Sequence, residues 1–298
     1  VKEGEMRSEY TDGWGTLTNV LSSRLYQKRA NWACQTLLEK GVEPLGALAA
    51  YYGGDYDEDM VWYAWKTLMQ NHPHDSICGC SCDEVHREMD TRFEKCAILA
   101  KQLCSEHMEY LANQVDTSVF SDALTAVVAF NPLATTRVER IEVDIDLPEG
   151  DATDGFVLRD ASGNELPTHV IEDYGVVWDY DLPDVGFRQP YDRRRVRLVF
   201  EAELSAGGLS AYGVFSAEAS AAARTETFEN KFLRVELKPD GRFDLVDKVR
   251  GRRFCDQHRI ENSLDCGDEY NYRIPEDDEI VHAKAEETQI GPVVDNGV

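Results

Sequence analysis

The chain has 298 residues, with 56 acidic against 31 basic side chains and a formal charge of −25. Such a field suits solubility and repels nucleic acid and anionic lipid, which argues against both as partners. The length allows two or three domains; nothing approaches the roughly 18 apolar residues of a membrane span, and no signal-peptide pattern opens the chain.

Helices come first. From Leu17 to Lys40 apolar residues recur at Val20, Leu21, Leu25, Ala33, Leu37 and Leu38, the spacing of one buried face. Gly41 is expected to stop that helix, and Pro44 to open a short one over Leu45 to Tyr52 that ends at Gly53-Gly54. A further helix is predicted from Glu58 to Gln70, carrying Trp62 and Trp65 and halting before Pro73. Ser81 and Glu84 read as a capping box for a long helix with Val85, Met89, Phe93, Ala97, Ala100, Leu103 and Leu111 on one face. Three sizeable segments with short connections argue for a bundle.

After Val115 the period changes to two. TAVVAFNP, RIEVDIDLP, GFVLRD, RRRVRLVFEAEL and GLSAYGVFS read as strands, separated by turn signals such as Asn131-Pro132 and Ser162-Gly163-Asn164. That is the pattern of an antiparallel β-sandwich. Ser216 to Glu226 reads as a linker, and KFLRVELKPDGRFDLVDKV as a hairpin turning at Pro239-Asp240-Gly241. The expected fold class is α+β and multidomain. A three-helix-bundle middle domain is followed by an antiparallel β-sandwich and the start of a second, larger β-sandwich.

The chain begins at Val1 rather than methionine and ends at Val298 without a closing element, so both ends read as cuts in a longer frame. Its eight cysteines stand at 34, 78, 80, 82, 96, 104, 255 and 266. The C-x-C-x-C run is too tight for disulfide pairing within itself, and the set suits a reducing compartment.

Chemistry concentrates at Asn71 to Ser81, NHPHDSICGCS, between two helices. Neutral imidazole beside a carboxylate is the chemistry of a zinc or acid–base site. Three thiolates with a histidine would also satisfy a structural zinc by ligand type, although C-x-C-x-C splays its side chains poorly for one tetrahedron. Cys82 is expected to be a buried free thiol.

The run WKTLMQNHPHDSICGCSCDEVHREMDTRF, Trp65 to Phe93, resembles the zinc-dependent α-mannosidases of glycoside hydrolase family 38. Gly4 to Asn31 resembles the exit from that family's catalytic barrel, and DCGDEYNYRIP, Asp265 to Pro275, resembles its G-D-x-Y segment. From about 119 to 220 the likeness rests on architecture alone. It implies a barrel tail at 1–15, a helical middle domain at 16–117, a β-sandwich at 118–220 and the start of a C-terminal β domain at 225–298. It also implies that His74 is a zinc ligand, that Asp75 hydrogen-bonds a sugar hydroxyl beside the metal, and that Tyr270 contacts the sugar. His72 would hold the turn.

The implied activity is that of a retaining, cytoplasmic exo-α-mannosidase with one zinc ion, acting on mannose-containing oligosaccharides. Its nucleophile, its acid/base and an upstream His-x-Asp zinc pair match nothing in these 298 residues. The segment alone is therefore expected to hold no catalytic residue and to be inactive. Plainer readings stand beside these. Asp75 is also a favourable helix N-terminal acid, and Tyr270 a packed aromatic. A non-catalytic carbohydrate-binding or scaffold protein would share the architecture, and residues 72 to 82 could form a metal-sensing module. Apolar patches on the β regions make a homo-oligomer a further expectation.

Overall fold

The computed structural model describes residues 19–183, 185–218, 227–268, 270 and 273–282. Most of the linker and the first half of the Gly4–Asn31 motif lie outside them. The described residues form two compact units, a helical one that also takes in residues 260–282 and a β one from 115 to 259. Residues 260–282 read from sequence as part of the second β region, yet they group with the helices.

In the helical unit a single 3₁₀ turn, Asn19–Leu21, precedes α1, Leu25–Thr36. The remaining helices are α2 (Glu43–Tyr51), α3 (Glu58–Met69), α4 (His74–Cys78) and α5 (Asp83–Ala112). Arg24, in the left-handed region at φ 46°, delays the start of α1. Leu21 and Leu25 are consequently exposed, and the buried face is carried by Gln27, Cys34, Leu38 and Val42. Gly41 does not stop the helix. The chain widens into a π-helical stretch, Leu37–Val42, and runs directly into α2, with Pro44 in the first turn. Gly41 is instead a packing residue, because a Cβ there would stand 2.6 Å from Cys104 Sγ on α5.

Helix α3 is capped by Asp57, whose carboxylate accepts from Met60 N at 3.0 Å. The Ser81–Glu84 capping box does not form. Cys82 is the N-cap residue, makes no side-chain cap bond and is exposed rather than buried, while Glu84 pairs with Arg87 at 2.8 Å. The buried stripe of α5 reads His86, Met89, Phe93, Cys96, Ala100, Leu103, His107 and Leu111, spaced by threes and fours. Two histidines thus occupy core positions. His86 donates from Nδ1 to Gln27 Oε1 at 2.6 Å, and His107 stacks on Tyr56.

The β unit is a sandwich followed by a second sheet. Strands β1 (Thr125–Asn131), β3 (Gly155–Arg159), β4 (Glu165–Leu166) and β7 (Gly208–Ala217) form one layer in the order β1-β7-β3-β4. Strands β2 (Arg137–Pro148), β5 (Thr168–Asp181) and β6 (Gln189–Leu204) form the other, in the order β2-β6-β5. Val127, Leu158, Tyr212 and Val214 face Leu147, Leu198 and Phe200 across one core. The hairpin at 239–241 joins β9 (Leu233–Leu237) to β10 (Phe243–Asp247), flanked by β8 (Thr227–Glu229) and β11 (Arg252–Gln257). Two short strands, β12 (Glu261–Asn262) and β13 (Val281–His282), pair within the helical unit.

The helical unit should respond to mild acid. Burial is the first cause that pushes His72, His86 and His107 below the ordinary histidine value of 6.5. A histidine depressed on folding contributes stability that is complete above its unfolded pKa. That contribution is lost as pH falls, because the unfolded chain takes the proton first. In the β unit the Arg197, Arg195 and Arg194 guanidiniums hold Asp144, Asp146 and Asp173 below 3.8, so their contribution is lost only at lower pH. Helical circular dichroism on heating should therefore show a falling midpoint between about pH 7 and about pH 5. A flat midpoint over that range would contradict the assignment.

Candidate functional site

The NHPHDS turn is anchored by one buried polar group, Asn71, and one exposed one, His72. Asn71 is fully buried and donates from Nδ2 to the Met89 carbonyl at 3.2 Å, anchoring the end of α3 to α5. His72 donates from Nε2 to Asn31 Oδ1 at 2.7 Å, tying the turn to α1. Pro73, extended at φ −48° and ψ 138°, then starts the five-residue helix α4. His74 is its first residue, and its imidazole is 90% exposed. The Asp75 carboxylate lies 3.4 Å from His74 Nε2 and accepts from Cys80 Sγ at 3.6 Å.

Gly79 ends α4 in the left-handed region at φ +87°. A Cβ at this position would stand 2.8 Å from the Ser23 carbonyl oxygen. The glycine thus permits both the turn and the approach of residues 19–28. Ser23 Oγ donates to the Gly79 carbonyl at 3.1 Å, and Arg24 donates to that carbonyl while pairing with Asp83 at 2.6 Å. Lys28 Nζ donates to the carbonyls of Ser23 at 2.7 Å and Cys78 at 3.2 Å, placing a second cation at the C-terminus of α4. Gly79→Ala combines left-handed strain with a backbone clash, and should destabilise the helical unit by about 2–3 kcal/mol in a denaturant titration.

The same segment also holds the loop that carries Tyr270. Asn19 is 8% exposed. Its Nδ2 donates to Asp265 Oδ2 at 3.0 Å and to the Asp268 carbonyl at 2.8 Å, and its backbone N–H donates to the Tyr270 carbonyl at 3.2 Å. Asp265 organises the loop from within, its Oδ1 accepting from the N–H groups of Gly267 at 2.8 Å and Arg273 at 3.0 Å. The Tyr270 N–H donates to Asp268 Oδ1 at 2.9 Å. Residues 19–28 are therefore a bracket with α4 on one side and the Tyr270 loop on the other. Nothing local in the sequence marks Asn19 as that hinge point, since both of its carboxylate and carbonyl partners lie some 246 to 249 residues away.

As a metal site the arrangement is partial. An exposed imidazole is the right donor for zinc, yet a catalytic site uses about three protein ligands. Among the described residues no group of three or more His, Cys, Asp or Glu side chains stands together in a way that could hold a metal ion. Cys78, Cys80 and Cys82 fall on different elements: the first ends α4, the second follows the glycine turn, and the third is the N-cap residue of α5. Of such a set the turn supplies one exposed imidazole, that of His74.

Comparison with known proteins decides the family. Residues 16–111 match the α-mannosidase middle domain, and residues 146–216 match the C-terminal domain 1 of glycosyl hydrolases family 38. Solved structures agree with both. An α-mannosidase from Enterococcus faecalis V583 superposes with a TM-score of 0.81 at 34% identity, over 92% of this chain and 34% of that one. The chain belongs to glycosyl hydrolase family 38. A second family 38 protein from Enterococcus faecalis gives a TM-score of 0.79 at 32% identity, covering 89% of this chain and 34% of that chain. A curated relative from Halalkalibacterium halodurans, named "Putative mannosylglycerate hydrolase", is 35% identical over 92% of this chain. The chain spans about a third of the length of these family 38 relatives.

Proposed function

We propose that this chain is the middle and early C-terminal part of a zinc-dependent, retaining exo-α-mannosidase that releases terminal α-linked mannose. The observation that carries the proposal is the bracket at residues 19–28, which binds both the His74 turn and the Tyr270 loop. His74 would offer its exposed imidazole as one zinc ligand. Asp75 would accept a hydrogen bond from a sugar hydroxyl, and Tyr270 would meet the ring with its hydroxyl and aromatic face. Zinc, when bound, supplies a Lewis acid and a template for two adjacent hydroxyls. The retaining pathway needs two carboxylates about 5–5.5 Å apart, and these are assigned to residues outside this segment. The compartment assigned is the cytoplasm, in keeping with eight free thiols. No described helix is long and apolar enough to cross a membrane.

The test uses the complete reading frame. Aryl α-mannoside should be hydrolysed with retention when zinc is supplied, and turnover should vanish after chelation. Mannosylglycerate and mannose oligosaccharides, offered in parallel, separate the two substrate classes that the relatives' names suggest. The 298-residue chain alone should neither turn over the aryl mannoside nor retain zinc through gel filtration. Binding of mannosides by the complete protein without turnover would replace this reading with that of a carbohydrate-binding protein.

A further inference from the structure

Helix α1 is seated on α5 by specific bonds rather than by an apolar face. Its two buried residues are Gln27 and Cys34, 1% and 2% exposed. Gln27 Nε2 donates to the His86 carbonyl at 2.9 Å and to Asp90 Oδ1 at 2.8 Å. Cys34 Sγ donates to the Phe93 carbonyl at 3.4 Å. Just ahead of α1, Arg24 pairs with Asp83 at 2.6 Å. Arg24–Asp83, Gln27–His86 and Cys34–Phe93 all stand 59 residues apart. The two helices therefore run in the same direction, side by side in one register.

The middle pair fixes that register. Both partners of Gln27 Nε2 are acceptors, which sets the orientation of the amide and turns Oε1 toward His86. His86 Nδ1, 2.6 Å from Oε1, must then carry the proton. His86 is 2% exposed, and its Nε2 is buried with no hydrogen-bond partner, so the imidazole gives its one donor to Gln27. Sliding α1 by one turn, about 5.4 Å, would leave the Gln27 amide and the His86 N–H buried without partners. A buried polar pair selects one register where apolar side chains would tolerate several.

What α1 holds in the candidate site follows from its register. Ser23, Arg24 and Lys28 bind the carbonyls of Gly79 and Cys78 at the end of α4, and Asn31 binds the His72 imidazole. Asn19, at the head of the same segment, holds the Tyr270 loop. We propose that Gln27 and His86 are positioning residues of the site. Their bond sets the height of residues 19–31 along α5, and thereby the spacing between the His74 turn and the Tyr270 loop. The catalytic consequence rests on the mannosidase reading; the structural one does not.

The decisive variant is the double change Gln27→Leu, His86→Leu, which replaces the polar pair by an apolar one. It strands neither amide nor imidazole, and the half-buried Asp90 keeps a path to solvent. The helical unit should therefore melt no lower than in Gln27→Leu alone, which leaves the His86 N–H unpaired. Amide exchange of the 298-residue chain should nevertheless quicken about tenfold over residues 76–82 and 265–273. In the complete reading frame KM for an aryl α-mannoside should rise about tenfold, with kcat changed less. Gln27→Asn, which keeps the amide one methylene short, should fall between the parent and the double variant, and decides the matter if the double variant does not fold. Gln35→Leu, which removes an exposed bond from α1 to Glu39, should match the parent throughout. Parental exchange at both segments in the double variant would overturn the proposal. Equal quickening in Gln35→Leu would overturn it too, by showing α1 merely loosened, as would quickened exchange with an unchanged KM. If the complete protein turns over no mannoside, the mannosidase reading falls, and exchange at the two segments decides the positioning role by itself.

Discussion

In the complete reading frame, His74→Ala should lower turnover of an aryl α-mannoside by on the order of 10³-fold or more, with the fold intact. Loss of a residue that merely orients a metal ligand costs about 10–100-fold, and loss of a ligand itself costs more. The imidazole is 90% exposed, so its removal opens no cavity and should change stability by less than about 0.5 kcal/mol. His72→Ala is the matched control. It removes the 2.7 Å bond to Asn31, which should cost about 1 kcal/mol of stability and far less of the rate. Zinc content measured on both variants would separate loss of metal from loss of shape. If His74→Ala and the parent turn over equally, the enzyme class survives but this histidine leaves the site.

Asn19→Ala should release the Tyr270 loop. The change removes both Nδ2 donations and leaves the Asp265 carboxylate and the Asp268 carbonyl without them. Losing two part-buried bonds, one of them to a charged acceptor, should cost about 2–3 kcal/mol locally. That corresponds to roughly 30- to 150-fold faster amide exchange over residues 265–273 if the loop opens locally. Peptides from α5 should exchange as before, because its core stripe does not involve Asn19. In the complete enzyme the same variant should raise KM more than it lowers kcat, the pattern of weakened substrate contact. Unchanged exchange at 265–273 would show that Asp265 holds the loop without help.

The helices and the strands of the sandwich were legible wherever one residue type repeats at one period. Val127, Leu158, Leu198 and Val214 are buried where alternation puts them, and Met89, Phe93, Ala100 and Leu103 where the helical stripe does. Strand β5 escaped because two bulges, at 170–172 and 173–175, break its alternation and because its outer half leaves Trp178 and Tyr180 exposed. Gly41 misled for a different reason. Its use is contact with Cys104 more than sixty residues away, and a glycine that permits close packing has the same letter as one that ends a helix. Core positions filled by Gln27, His86 and His107 were likewise invisible to a hydrophobic pattern.

At the candidate site the chemistry was local and the assembly was not. The NHPHDS turn carries its donor types side by side, so imidazole and carboxylate could be named from adjacent letters. What brings that turn and the Tyr270 loop onto one support is a set of hydrogen bonds from residues 19–28, spanning separations of about 50 to 250 residues. By itself the sequence determined the order of the main helices and of most strands, the acidic character and the turn that carries His74, because each depends on neighbours a few residues apart. Only the tertiary structure decided that Asn19 and Gly79 hold the candidate site and that the outer half of β5 leaves Trp178 and Tyr180 exposed. Those outcomes depend on which distant groups can satisfy a buried donor, or fit where no Cβ stands, and periodicity carries no record of either.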